Sequence, residues 1–251
     1  MDLAERHRRS QRAFLERFGT STLHVGSVAA AITPAAPDRS LPNSIVYGDP
    51  AEVVPALPTL EEVYREEGIN AWTVWVRPGD DGLIADLGDA GHVMDGTPAL
   101  MGARIDDLAL TGTPRGITPV TDWRTVGEIN DEAYGITGLA DTFGAYHGDD
   151  VTMGWLVVED GRALATVSVL EWEGDAFVVF VATRPEARGR GLCRGLLSHA
   201  LRVARHDGCE TTTLEGSPMG EPVYARMGYA TLGRLTLMER RLRDDSAENV
   251  R

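Results

Sequence analysis

The 251-residue chain contains no lysine, and all 24 of its basic residues are arginine. This absence excludes the sites that need an amine side chain, such as a P-loop lysine, a Schiff-base lysine or a lysine general base. Cysteine is scarce as well. Cys193 and Cys209 are too few for a zinc centre or a disulfide framework, so we expect no metal site and a reducing, cytoplasmic environment.

Long apolar runs and an excess of positive charge are also missing. No run of about 18 apolar residues occurs, so the sequence predicts no membrane segment. The stretch Met1–Arg9 lacks the apolar centre of a secretory signal. The formal net charge of −14 disfavours binding to nucleic acid and favours cationic ligands.

Two parts of the chain resemble each other, in the same order. Glu67-Gly68 followed by Ala71–Val76 resembles Asp207-Gly208 followed by Thr211–Gly216. Further matches join residues 90–101 with 227–238, and Pro50 with Pro185, each proline following a short predicted strand. The spacing of these matches shows that the first copy is five residues shorter than the second. The missing residues fall between the strand before the proline and the helix after it. This pattern indicates an internal duplication.

The composition between the copies suggests where one domain ends. Residues 111–119 hold two prolines, two glycines and three threonines, which is typical of a linker. We therefore predict a domain over 1–110, a linker over 111–119, a domain over 120–243 and a tail over 244–251. The pattern also predicts a β-hairpin near the end of each copy, at 92–105 and at 229–241.

The segment 181–197 carries most of the chemical information. A predicted strand ends here, a turn with two glycines follows, and an amphipathic helix begins. Glycines let backbone N–H groups converge on a ligand, and a helix N-terminus adds partial positive charge. Arg188, Arg190 and Arg194 add full charges to the same turn. Together these features predict a diphosphate-binding site.

The pattern Arg188-x-x-Gly191-x-Cys193 resembles the acetyl-CoA-binding motif of the GNAT N-acyltransferase superfamily, Gln/Arg-x-x-Gly-x-Gly/Ala, with cysteine at the last position. Residues 221–229 resemble that family's downstream motif, a tyrosine in a short helix that ends in a glycine-aromatic pair. The resemblance covers about residues 117–241 and implies acetyl-CoA as cosubstrate, with no metal. The cofactor-binding residues that it implies are Val181, Ala182 and Thr183 along the pantetheine arm, and Arg188, Gly189, Arg190, Gly191, Leu192, Cys193 and Arg194 at the pyrophosphate.

The same resemblance makes Tyr224 the candidate general acid, a phenol of pKa about 10 that can protonate the CoA thiolate as it leaves. An attacking amine also needs a base. Glu171 and Glu215 are the leading candidates, and the open alternatives are Glu173, His147 and His199. Glu171 shares a strand face with valines, which would raise its pKa. Cys193 has no identifiable base partner for a nucleophilic role.

The first copy lacks the glycine-arginine turn. Its corresponding turn, Gly48-Asp49-Pro50-Ala51-Glu52, has no arginine and carries two acids. The expected fold is therefore α/β, with two GNAT-like domains in tandem, the N-terminal one degenerate. The expected function is acetyl-CoA-dependent N-acetyl transfer to a primary amine of a small molecule or peptide, directly within a ternary complex. The alternative is a catalytically inactive CoA-binding regulatory or interaction protein. Either would act as a monomer or homodimer.

Overall fold

The computed structural model describes residues 2–146 and 149–242. Over these residues the chain forms seven α-helices: α1 (Leu3–Phe18), α2 (Val53–Glu66), α3 (Asp81–Asp89), α4 (Trp123–Tyr134), α5 (Leu139–Gly144), α6 (Leu192–His206) and α7 (Glu221–Met227). The strands in the same ranges are β1 (Ser21–Val25), β2 (Val28–Ile32), β3 (Ser44–Val46), β4 (Ala71–Val76), β5 (Val93–Gly96), β6 (Ala99–Arg104), β7 (Ile117–Pro119), β8 (Thr152–Glu159), β9 (Arg162–Trp172), β10 (Asp175–Thr183), β11 (Thr211–Gly216), β12 (Ala230–Arg234) and β13 (Thr236–Arg241).

These elements form two units, each with its own sheet. One unit contains the predicted acetyl-CoA-binding turn, and we call it the catalytic unit because of that expectation. It comprises the described residues up to Phe14 together with Pro98–Arg234, and its strand order is β12-β6-β11-β10-β9-β8-β7. The unit that we call N-terminal contains Leu15–Thr97 and the described residues from Leu235 on, with the order β1-β2-β3-β4-β13-β5. The fold is mixed α/β, as the sequence predicted.

The core of the catalytic unit has two faces. Leu196, Leu197 and other apolar residues of α6 pack against the face of the sheet that carries Val178 and Leu214. On the opposite face, Ala13 and Phe14 of α1 pack with Phe177. Since side chains alternate along a strand, β10 and β11 present different residues to the two helices.

The predicted hairpins at 92–105 and 229–241 are wrong, although the strands are present. β6 pairs with β11 and β12 in the catalytic unit, whereas β5 pairs with β13 in the N-terminal unit. Likewise, β12 and β13 enter different sheets. The physical reason is burial on both faces: residues 99–103 of β6 are all buried, and a two-stranded hairpin could not cover them.

This exchange makes the observed units differ from the predicted division at 111–119. The start of α1 and β6 lie in the catalytic unit, and β13 lies in the N-terminal unit. The end of the predicted linker is itself strand β7, paired with β8. The predicted tail, 244–251, lies outside the described residues.

The internal duplication is visible in the topology. β3 and β4 are parallel and are followed in their sheet by β13 and β5, just as the parallel pair β10 and β11 is followed by β6 and β12. The registers also correspond, because Ala71 pairs with Arg241 and Thr211 pairs with Arg104. Each unit is therefore a copy of the same α/β arrangement.

Candidate active site

Strands β10 and β11 separate in the catalytic unit. Their parallel pairing ends at Val178 and Leu214, although both strands continue. A bulge interrupts β10 between Val179 and Ala182, and Phe180 inside it has a φ of 52°. A positive φ is costly for a residue with a large side chain, so the surrounding packing must hold this bulge in place. The bulge leaves an opening between two strands that are otherwise neighbours.

A cavity of about 410 Å³ lies at this opening. All of the predicted cofactor-binding residues except Arg190 line it. The candidate acid, Tyr224, lines it as well. Residues 181–183, the glycine turn and the start of α7 therefore meet at one place.

The turn before α6 fits an anionic ligand. Gly189 and Gly191 both have a φ of 75°, and a Cβ placed on either would meet nothing within 4 Å. Glycine is thus required by the backbone conformation rather than by crowding. The first-turn N–H groups of α6 have no partners within the helix, and they add partial positive charge at the cavity.

The arginines of the turn differ in their surroundings. An Nη2 donor of Arg188 contacts the Ala133 carbonyl oxygen at 2.5 Å. Arg190 forms an exposed ion pair with Glu159, at 2.6 Å. The Nε of Arg194 is buried without a hydrogen-bond partner. Arg188 and Arg194 therefore bring donors to the cavity, and the donor set fits a diphosphate.

Tyr224 is buried, and this burial raises its pKa well above 10. The phenol consequently stays protonated at neutral pH, so its O–H remains available as a donor to a group at the cavity. Cys193 lies in the first turn of α6, where burial raises the pKa of its thiol to about 11. A thiol with that pKa is a poor nucleophile near neutral pH, so its environment does not favour covalent catalysis.

Glu215 lies on β11 immediately after the last pair with β10. Its Oε1 atom accepts hydrogen bonds from Nε2 of His7 at 2.8 Å and from Nε2 of Gln11 at 3.0 Å. Its negative charge is the last and smallest of the causes that raise the pKa of Tyr224, after burial of the phenol. Glu215 does not line the cavity itself.

Glu171 is placed differently. Burial raises its pKa, as expected from its strand face, and the nearby carboxylate of Asp207 raises it further. Asp207 follows the C-terminal end of α6, whereas the cavity lies at the N-terminal end. A 15-residue helix is about 22 Å long, so the structure does not bring Glu171 to Tyr224.

The other candidate bases that the structure describes, Glu173 and His199, do not line the cavity either. Glu173 forms an exposed ion pair with Arg9 at 3.0 Å. The ring of His199 packs edge-on against Trp155, with 5.9 Å between ring centroids. His147 lies outside the described residues.

Sequence reasoning missed several residues that line the cavity. Tyr134, at the end of α4, donates a hydrogen bond from Oη to the Val181 carbonyl oxygen at 3.3 Å. Val223 and Arg226 of α7 also line it. No motif marks Tyr134, because its partner is far away in sequence.

The corresponding opening of the N-terminal unit is filled by side chains. Beyond the last β3–β4 pair, the Arg77 guanidinium lies 4.3 Å from the centre of the Tyr47 ring. Tyr47 Oη donates to Asp80 Oδ2 at 2.8 Å, and Arg77 Nε donates to the same oxygen at 2.9 Å. The backbone also passes from the turn Pro50–Glu52 straight into α2, without a glycine-arginine loop.

The part of the chain that the structure describes lacks the features of a membrane span and of a metal centre. No helix in residues 2–146 and 149–242 has the length and apolar character needed to cross a membrane. In the same ranges, no cluster of three or more His, Cys, Asp or Glu side chains is arranged to hold a metal ion.

The chain is similar to solved structures along almost its whole length. A GCN5-related N-acetyltransferase from Kribbella flavida is 20% identical with a TM-score of 0.72, and the match covers 98% of this chain and 99% of that chain. One from Sphaerobacter thermophilus is 20% identical with a TM-score of 0.57, covering 86% and 77%. A tandem GNAT protein from the clavulanic acid biosynthesis pathway is 16% identical with a TM-score of 0.56, covering 89% and 84%.

These likenesses show that the fold is that of two GNAT-like domains in tandem. No curated protein matches the chain in sequence. The model of the acetyltransferase (GNAT) family matches residues 122–229, which include the bulged strand, the glycine-arginine turn and Tyr224. Residues 122–229 therefore form an acetyltransferase domain of the GNAT family.

Proposed function

We propose that the protein is an acetyl-CoA-dependent N-acetyltransferase that acts on a primary amine of a small molecule or peptide. The observation that carries this proposal is the cavity where β10 and β11 separate, which places the N-terminus of α6 and Tyr224 at one opening. A duplicated fold without a ligand would not need a strained bulge, two left-handed glycines and a buried phenol at the same place.

Acetyl-CoA would be held by groups that have spare hydrogen-bonding capacity. Residues 181–183 have no β11 partner on one side and can bond the amides of the pantetheine arm as an added strand would. Arg188, Arg194 and the N–H groups of the turn would bind the pyrophosphate. When bound, acetyl-CoA supplies an acetyl group as a thioester.

The catalytic unit offers one residue to accept a proton in the reaction and one to donate a proton. An ammonium substrate loses two protons as its nitrogen forms the amide bond and the carbon–sulfur bond breaks. Glu215, directly or through water, would accept one and pass it to solvent. Tyr224 would donate its proton to the departing thiolate and regain one from the amine nitrogen. The protein itself forms no covalent bond with the acetyl group.

The alternative, an inactive CoA-binding protein, is favoured by one observation: among the described residues, no carboxylate lines the cavity. The two functions are separated by a pair of measurements. Calorimetry with acetyl-CoA tests the site, and thiol release in the presence of a panel of primary amines tests the reaction. Binding with amine-dependent thiol release supports the enzyme. Binding without release from any amine supports the alternative, and no binding refutes both.

A further inference from the structure

The first helix of the chain contributes a polar face to the catalytic unit. His7, Ser10 and Gln11 have the spacing that places side chains on one side of a helix. Ser10 donates a hydrogen bond to the buried Asp175 at 2.9 Å, and His7 and Gln11 both bond Glu215. These partners lie in β10 and β11, more than 160 positions along the chain. Helix α1 thus reaches the two strands that open around the cavity.

His7 is held firmly in this position. It is 2% exposed, and its ring lies nearly perpendicular to that of Phe177, with 5.4 Å between the ring centroids. A carboxylate only accepts hydrogen bonds, so in the bond to Glu215 the Nε2 atom of His7 carries the proton. A buried ring with one donor aimed at a carboxylate is suited to fixing the orientation of that carboxylate.

Both bonds go to the same oxygen of Glu215. Oε1 accepts hydrogen bonds from His7 and Gln11, whereas Oε2 accepts none from the residues that the structure describes. The Glu215 side chain is 15% exposed, so one oxygen is tied down and the carboxylate still reaches solvent. Two donors on one oxygen fix the rotation of the group and leave the other oxygen available to a ligand.

We propose that His7 and Gln11 are positioning residues for the acetyl transfer: they orient Glu215 so that Oε2 faces the amine that loses its proton. This inference rests on the proposed function. Neither residue touches the reacting atoms, and each acts through Glu215. The N-terminal helix is thereby a working part of the catalytic unit.

The test compares His7→Leu, which removes the donor, with His7→Gln, which can restore an N–H near the position of Nε2. With an amine that the wild type acetylates, we expect His7→Leu to lower kcat by about 10-fold to 100-fold, because small misplacement of a catalytic group costs rate. The affinity for acetyl-CoA should change less than about twofold, since His7 is not in the cavity. His7→Gln should recover most of the lost kcat. Arg9→Ala, which removes two exposed ion pairs of the same helix, those with Glu5 and Glu173, is the matched control.

A double-mutant cycle separates positioning from stability. In a Glu215→Gln background, His7→Leu should have no further effect on kcat, because its route is through Glu215. Additive effects, or a wild-type kcat in folded His7→Leu, would overturn the inference. If His7→Leu does not fold, Gln11→Leu enters the same cycle. Absence of thiol release from the wild type with every amine would refute the proposed function and this inference together, whereas release that is unaffected by the variants refutes this inference alone.

Discussion

Leu87 in α3 occupies the position that Tyr224 occupies in α7. The carbonyl oxygen of Leu87 accepts a hydrogen bond from the N–H of His92 at 2.9 Å, and the carbonyl oxygen of Tyr224 accepts one from the N–H of Tyr229 at 3.2 Å. Both side chains are buried, each in the core of its own unit. The two units therefore share the backbone hydrogen bond at the end of this helix. The N-terminal unit, however, has a leucine side chain where the catalytic unit has a phenol.

We predict that one acetyl-CoA binds per chain. The N-terminal unit has Tyr47, Arg77 and Asp80 bonded together at its strand opening, and it has no arginine in the turn before α2. Titration calorimetry should give a stoichiometry of one. Two equivalents, or unchanged binding after the cavity of the catalytic unit is blocked by Gly191→Trp, would contradict this.

Arg188→Ala should weaken acetyl-CoA binding by about 10-fold to 100-fold, since hydrogen bonds to charged groups contribute about 1.5–3 kcal/mol. Arg190→Ala should weaken it less, because Arg190 is engaged by Glu159 outside the cavity. The measurement is the dissociation constant from calorimetry. Arg205→Ala, at the far end of α6, is the control and should bind as the wild type does. Equal affinities for Arg188→Ala and the control would remove Arg188 from the site.

Tyr224→Phe should lower kcat by roughly 10²–10⁴ while leaving acetyl-CoA affinity nearly unchanged, if the phenol acts as general acid. Burial holds the pKa of Tyr224 well above 10, so the phenol keeps its proton across the working range. The ratio of wild-type to variant kcat should therefore be the same at pH 7 and at pH 9. A ratio near one at both values would show that the hydroxyl takes no part in turnover.

His92 makes the N-terminal unit sensitive to acid. Its Nε2 accepts a hydrogen bond from Trp72 Nε1 at 3.3 Å, and burial together with the charge of Arg240 lowers its pKa from 6.5 to about 4. Between these values only the unfolded chain takes up the proton, so the free energy of unfolding falls as pH falls. We expect His92 to account for about 1–2 kcal/mol of the loss between pH 7 and pH 5.

Urea unfolding of the wild type and His92→Gln at both pH values measures this contribution. Glutamine retains an acceptor for Trp72 but does not titrate, so the variant should lose less stability between pH 7 and pH 5. Parallel losses in the two proteins would show that His92 does not carry the effect.

The sequence was informative wherever the determinants are local. The glycine-arginine turn could be predicted because the residues that shape it, Gly189 and Gly191, adjoin the helix that they precede. The helical period of α6 and the turns between β8, β9 and β10 likewise depend on residues that are close together in the sequence. The topological repeat followed from the same kind of local comparison between two stretches.

Strand partners and most of the active-site surroundings depend on distant residues. The sequence predicts strands near β6 and β13 but does not specify which sheet they enter. His7 could not be connected with Glu215, because 208 positions separate them and neither belongs to a recognisable motif. The strand face of Glu171 favours it as a base from sequence alone. Its distance from the cavity depends on how β9 lies along α6, which the sequence does not specify.

The exchange of strands has a consequence for synthesis of the chain. β4 (AWTVWV) lies between β3 and β13 in its sheet, but β13 is translated about 160 positions later. At roughly 5–20 residues per second, the apolar edge of β4 stays without its final partner for roughly 10–30 s. An uncovered strand edge of this composition invites pairing with other chains. Successful production of the protein therefore depends on how well the nascent N-terminal unit is shielded until its last strand leaves the ribosome.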